Sequence, residues 1–231
     1  MSSEGIKRHI EHTTNLSVVD KNNIIKKKFN VVVDSANGAA SEALPLLLKT
    51  LGCNVHEINC TPNGNPSRGL EPLIENLKEI SDYVKKYDLD IGFATDPDGD
   101  RLAIIDNKGN AISEELTLPI CVLSIMKNSI FNAPVITNLS TSMVLEHVCN
   151  LFNLSIIKTA VGEINVVKEM KKHNSIIGGE GNGGVILKES HLGRDSIVGA
   201  SIVLNLLASM NKTINEIYSE MPKTYMVKEK I

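Results

Sequence analysis

Asp96-Pro97-Asp98-Gly99-Asp100-Arg101 has residue types and a spacing that could do chemistry. Its carboxylates stand at alternate positions, a proline and a glycine shape a turn, and an arginine closes it. Like charges this close repel one another unless something positive neutralises them, and hard oxygen ligands suit Mg²⁺ or Ca²⁺. Burying them without a cation is costly. The stretch therefore reads as a divalent-metal loop with Asp96, Asp98 and Asp100 as ligands. An EF-hand would need glycine at its sixth position and glutamate at its twelfth; Arg101 and Asn107 stand there, so that reading fails.

Two other readings stay open for the acidic stretch. A solvated turn needs no ligand. A haloacid-dehalogenase-type phosphatase uses a strand followed by Asp-x-Asp-Gly, which Asp96-Pro97-Asp98-Gly99 matches locally, but its first Asp follows the first core strand and its later lysine and acidic pair are not evident here. Further along, Gly178-Gly179-Glu180-Gly181-Asn182-Gly183-Gly184 sets a carboxylate and a carboxamide among glycines. Glycine permits close backbone approach, and Glu180 with Asn182 could bond vicinal sugar hydroxyls, the acid accepting and the amide doing both. A flexible hairpin turn is the plain alternative. In Ser190-His191-Leu192-Gly193-Arg194-Asp195, Asp195 reads as a helix N-cap, Arg194 could reach a phosphate, and His191 could face a ligand or solvent. The chain has four arginines, Arg8, Arg68, Arg101 and Arg194, and otherwise uses lysine. Three of them sit in loops with glycine or proline, where bidentate phosphate or carboxylate recognition favours a guanidinium; for Arg68 solvent exposure is the plainer expectation.

The elements that must position these residues alternate between strand and helix. A short helix follows Asp20 as N-cap. Phe29 to Asp34 is a buried strand, Ser35-Ala36-Asn37-Gly38-Ala39-Ala40 a small-residue turn suited to close strand–helix packing, and a helix runs to Leu51. Asn54 to Ile58 is a strand, Asn59 to Leu70 an exposed loop, and Glu71 to Lys86 a helix. Strands at Asp90 to Thr95 and Leu102 to Asp106 flank the acidic loop. The pattern then begins again: helix from Glu114, strands at 135–137 and 155–159, helices at 141–152 and 164–172, strands at 175–178 and 185–187. Asp96 and Glu180 thus hold matching places in two units, at strand ends where α/β sheets bind ligands. An apolar helix from Asp195 to Met210, a capping box at Thr213–Glu216 and a possible strand from Tyr225 to Val227 finish the chain. The expected fold is α/β: two similar three-layer α/β/α domains, each with a mixed, mostly parallel four-stranded sheet. The divisions are 1–28 (extension or linker), 29–113 (metal-loop unit), 114–223 (sugar-loop unit) and 224–231 (start of a linker to a further domain).

Composition excludes several classes. The 231 residues are 42% hydrophobic and 22% charged with a net charge of −3 and no Trp. That leaves no basic footprint for nucleic acid and no stacking platform, and no apolar run is long enough to span a membrane. Cys53, Cys60, Cys121 and Cys149 form no Cys-x-x-Cys and read as buried structural thiols, which favours the cytoplasm.

Together the motifs resemble those of the α-D-phosphohexomutases: phosphoglucomutase, phosphomannomutase and phosphoglucosamine mutase. Asp96–Arg101 is similar to that family's metal loop. Gly179–Gly184 is similar to its sugar-specificity loop, in a Glu-Gly-Asn variant of the commoner Glu-x-Ser form. Val33–Ala39 resembles the opening strand and turn of the second domain, and Val161-Gly162-Glu163 and Gly193-Arg194-Asp195 resemble third-domain motifs. The resemblance implies that Asp96, Asp98 and Asp100 bind Mg²⁺ beside a phosphoserine, that Arg101 assists catalysis, and that Glu180, Asn182, His191 and Arg194 contact a hexose phosphate. It covers the family's middle two domains only. No Thr-Ala-Ser-His-Asn-Pro-like serine loop is present (Ser190-His191 is followed by leucine), nor an Arg-Pro-Ser-Gly-Thr-Glu-like phosphate loop. The expectation is a fragment of an enzyme interconverting hexose 1-phosphate and 6-phosphate, inactive without its remaining domains. The alternatives are a free-standing metal-dependent sugar-phosphate phosphatase and a non-catalytic sugar-phosphate-binding module.

Overall fold

The computed structural model describes residues 3–128 and 131–224; the strand expected at Tyr225–Val227 lies outside them. Two sheets are built on one scheme. In the first, β1 (Asn30–Asp34) lies between parallel neighbours β2 (Asn54–Ile58) and β3 (Ile91–Thr95), and β4 (Leu102–Ile105) turns back antiparallel to β3. In the second, β6 (Val135–Asn138) lies between parallel β7 (Ile156–Thr159) and β8 (Ile177–Gly179), and β9 (Val185–Leu187) returns antiparallel to β8. The expected four strands hold for the second sheet. The first has a fifth, β5 (Ala111–Ile112), which pairs antiparallel with β4 and is too short for two-residue alternation to mark it.

Side-chain alternation sorts the layers. Val32, Ala94, Ala103 and Ile105 face α4 (Lys78–Tyr87), which carries Ile80 and Val84 on the outer side of the first sheet. Ile136 and Ile186 face α7 (Glu163–Lys172), with Val166, Val167 and Met170, on the outer side of the second. The opposite faces share one core: Val31, Val33, Phe93 and Ile104 from the first sheet, Val135, Ile177 and Val185 from the second. Between them lie α3 (Ala40–Thr50), α5 (Thr117–Asn128), α6 (Val144–Leu151) and α8 (Ser196–Met210). α8 is apolar on every side and buried for nearly its whole length, as such helices are; it packs on α5 of its own unit and on α3 of the other.

Residues read as an extension add two helices to that shared layer. α1 (Ser3–Thr14) buries Ile6 and Ile10, one turn apart, and α2 (Lys21–Lys27) starts on the Asp20 N-cap and buries Ile24. The lysine, glutamate and histidine around Ile6 and Ile10 mask a narrow apolar stripe. The helix expected from Glu71 begins later. Pro72 precedes an extended Leu73, a single 3-10 turn covers Ile74–Asn76, and α4 starts at Lys78. Asp195 caps α8 by accepting from the Ile197 and Val198 amides, and Thr213 with Glu216 forms the capping box of α9 (Ile214–Ser219).

Candidate functional site

The acidic loop connects β3 to β4. Gly99 takes φ +77°, the left-handed turn conformation, and brings ligand oxygens of Asp96, Asp98 and Asp100 within 4.8 Å of one another. Asp96 is buried and spends Oδ1 on the amides of Asp100 and Arg101, both at 3.0 Å. Burial, with Asp100 and Asp98 adding to it, pushes the Asp96 carboxyl up to about 7 against the pull of the Arg101 amide. Burial also raises Asp100, although Arg194 opposes it. Asp100 Oδ1 is buried without a hydrogen-bond donor. Clustered oxygens, raised carboxyls and an undonated buried oxygen fit a hard divalent cation, with Asp96, Asp98 and Asp100 as its holders.

The small-residue turn after β1 supports this loop. Ala39 N donates to Pro97 O at 2.7 Å, and a Cβ on Gly38 would come within 2.2 Å of that same carbonyl. Close backbone packing is therefore what Gly38 provides. Arg68, expected to be exposed, is 7% exposed at its side chain and ion-paired to the buried Asp34 at 3.1 Å. Its NH2 donates to Thr95 O at 2.7 Å, the carbonyl just before Asp96. The loop 59–70 carries Arg68 inward because Asp34, at the end of a central strand, needs a cation.

The glycine-rich loop holds the matching place between β8 and β9. A Cβ on Gly179 would lie 2.2 Å from Gly184 O, so position 179 admits only glycine without a backbone shift. Glu180 is 4% exposed. Its Oε1 accepts from Asn138 Nδ2 at 2.8 Å and Gly162 N at 3.1 Å, and its Oε2 from Arg194 NH1 at 3.0 Å. Asn182 Oδ1 accepts from Gly184 N at 3.1 Å. The two loops touch: Arg101 forms an antiparallel bridge with Gly184, and Leu102 N donates to Gly183 O at 3.0 Å.

The expected site residues therefore gather at one edge, though not all with free functional groups. Arg101 folds back on Glu71, at 2.7 Å, and Asp96, at 3.4 Å. Arg194 contacts Asp100, Glu180 and Glu163 rather than standing open for a phosphate. His191 Nε2 lies 2.9 Å from Asp195 Oδ2, which His9 Nε2 of α1 also reaches at 2.9 Å. Hydrogen bonding to Asp195 raises His191 despite partial burial. Burial would raise Asp195, but the bonds from His191 and His9 outweigh it and hold that carboxyl well below the usual range. Sequence reasoning missed Glu71, Asn138 and His9, and named Glu163 without a role. Only Asn138 carries a readable signal, as a polar residue ending a central strand like Asp34.

Two family models described as phosphoglucomutase/phosphomannomutase, alpha/beta/alpha domain II and domain III match residues 7–109 and 115–225. A phosphoglucomutase/phosphomannomutase of Thermococcus kodakarensis is 36% identical over 226 residues, covering 97% of this chain and 49% of its own. A phosphoglucosamine mutase of Methanocaldococcus jannaschii is 34% identical over 234 residues, covering 99% of this chain and 51% of its own. The crystal structure of a phosphoglucomutase/phosphomannomutase family protein from Burkholderia thailandensis superposes with a TM-score of 0.80 at 21% identity, over 95% of this chain and 47% of that one. The chain spans about half the length of the curated relatives it matches.

Proposed function

The chain belongs to the phosphoglucomutase/phosphomannomutase family, and from that premise we propose that it supplies the metal-binding and sugar-binding domains of a Mg²⁺-dependent phosphohexomutase. In this reading residues 29–113 carry the metal loop and 114–223 the sugar loop, and a hexose 1-phosphate and 6-phosphate are interconverted with a phosphoserine from the enzyme's remaining domains. The observation that carries it is the clustering of Asp96, Asp98 and Asp100 oxygens against a Glu-bearing loop of the neighbouring unit.

Asp96, Asp98 and Asp100 would hold Mg²⁺, which when bound neutralises charge developing on a transferring phosphoryl group. Arg101, tethered by Glu71 and Asp96, brings a guanidinium to the same edge and assists phosphate. Glu180 and Asn182 hold sugar hydroxyls, and the Gly162, Asn138 and Arg194 donors fix the Glu180 carboxylate in one orientation. His191, 47% exposed at its side chain and anchored by Asp195, faces the sugar phosphate. A substrate that reacts at both ends must bind in two orientations, so hydroxyl recognition by a small loop serves both. Unpaired cysteines among the described residues, three of them buried, support a reducing compartment and hence the cytoplasm. Among the described residues no helix is long and apolar enough to cross a membrane.

Calorimetry and a coupled assay of these 231 residues with hexose phosphates and Mg²⁺ test the reading. Metal-dependent binding without isomerisation or phosphate release is expected. Phosphate release lost in Asp96→Asn would make it a phosphatase, and binding indifferent to metal would make it a binding module. Normal isomerisation by this chain alone would overturn the assignment of the nucleophile to another domain.

A further inference from the structure

Acidic side chains from three segments converge on the Arg194 guanidinium. Its NH2 donates to Asp100 Oδ2, its NH1 to Glu180 Oε2 at 3.0 Å, and its Nε lies 3.3 Å from Glu163 Oε2. The side chain is 14% exposed. Its stem crosses Gly184, where a Cβ would stand 2.3 Å from Arg194 Cδ, so the glycine of one loop makes room for the arginine. The arrangement divides Asp100: Oδ2 faces Arg194, while Oδ1 is buried without a donor.

We infer that Arg194 is a positioning residue, the internal counter-cation that joins the metal loop and the sugar loop into one charge network. A divalent cation among Asp96, Asp98 and Asp100 draws on the same Asp100 charge that holds Arg194. Entry of the cation therefore loosens the Asp100 bond and shifts the guanidinium toward Glu180 and Glu163, which carries metal occupancy to the carboxylate that orients the sugar. The inference rests on the metal reading of the acidic loop. A positive charge bonded to one of the ligand carboxylates would weaken the binding of a divalent ion by about tenfold even with water-like screening. Arg194 is thus a competitor of the metal as well as a clamp, and the two roles have opposite signatures. Losing a clamp loosens the site, whereas losing a competitor tightens it.

Mn²⁺ serves as the probe, with the unbound ion counted by electron paramagnetic resonance. Arg194→Met keeps the aliphatic stem over Gly184 and removes the charge; it should bind Mn²⁺ about tenfold more tightly than the native chain, while Arg194→Lys stays near native. Equal or weaker binding by Arg194→Met overturns the inference and leaves the metal reading standing. Absence of Mn²⁺ binding by both proteins overturns both. A measurement on the native chain does not depend on a variant folding. The NH1 and NH2 signals of Arg194, separate while the guanidinium is clamped, should broaden toward one another as Mg²⁺ is added, and those of Arg68 should not. Arg194 signals unmoved at saturating Mg²⁺ overturn the inference.

Discussion

The hairpins β3–β4 and β8–β9 have the same topology and opposite electrostatics. In the first unit the central strand ends on Asp34, balanced by the buried Arg68, whose NH2 fixes Thr95 O at the mouth of the loop. In the second it ends on Asn138, and Gly179 O at the matching place is fixed by the Thr137 hydroxyl at 3.0 Å. The first loop presents carboxylates that burial and mutual repulsion hold above their ordinary range. The second presents one carboxylate surrounded by donors. One scaffold thus carries a loop of clustered carboxylates and a loop whose single carboxylate is met by its own donors.

The largest effect expected from that contrast is on stability. Arg68→Met strands Asp34 as an uncompensated buried charge and should cost about 3–5 kcal/mol. Thr137→Val removes the neutral counterpart, with its bonds to Gly179 O and Thr141, and should cost about 1–2 kcal/mol. Urea unfolding of both variants decides it; equal losses would mean that the charge contrast has no energetic weight.

Much of this was legible in the sequence. Val31-Val32-Val33 and the β-branched run at 135–137 announced buried strands, and the repeated strand–helix order announced two units. The clustering of Asp96, Asp98 and Asp100 was legible because their carboxylates stand at alternate positions around a glycine turn. What escaped is long-range pairing. Arg68 looks like any loop arginine until the fold brings it to Asp34, and Glu71 lies 30 residues from the Arg101 it holds. Arg194 reads as a phosphate ligand until Asp100, 94 residues earlier in the chain, is beside it. α1 escaped for a different reason: two isoleucines one turn apart in a charged segment make a weak stripe, which finds its cover on α3 and α8 in the folded chain.

The metal sharpens the contrast next. Asp98 is the exposed member of the acidic triple, so Asp98→Asn removes a proposed ligand with little effect on the fold. It should weaken Mg²⁺ binding by at least about tenfold, in keeping with the dependence of affinity on ligand charge. Asn182→Ala, in the other hairpin, should leave the Mg²⁺ isotherm unchanged. Calorimetry on the two variants would break the division of labour if Asn182→Ala lost affinity as well.

Acidity separates the acidic loop from the N-terminus of α8 by a smaller margin. The folded chain raises Asp96 from 3.8 to about 7. Its contribution to stability is therefore full below about pH 3.8 and lost as pH climbs toward 7. If the ionised loop takes the proposed Mg²⁺, the rise in Tm produced by Mg²⁺ should be large at pH 8 and nearly absent at pH 5. Asp195 runs the other way: its depressed carboxyl stabilises the fold above its ordinary value of 3.8 and loses that contribution as pH falls below it. His191, raised above 6.5, contributes most below that value and loses its contribution as pH climbs through its raised range. A Mg²⁺-induced Tm shift of equal size at pH 5 and pH 8 would remove Asp96 from the account.

The smallest effect concerns the residue by which this loop departs from the commoner Glu-x-Ser form. Asn182 Oδ1 accepts from Gly184 N at 3.1 Å, a bond that a serine hydroxyl in the same turn can also accept. Asn182 Nδ2 lies 3.5 Å from Glu180 Oε2, at the limit of a hydrogen bond, and Glu180 already has Asn138, Gly162 and Arg194 as donors. Asn182→Ser should therefore change stability by no more than about 0.5 kcal/mol, the range of a substitution that leaves its main partner satisfied. If urea unfolding gave a loss several times larger, the amide would be holding Glu180 in place. The second hairpin would then be less fully answered by its own donors than its geometry indicates, and closer in kind to the first.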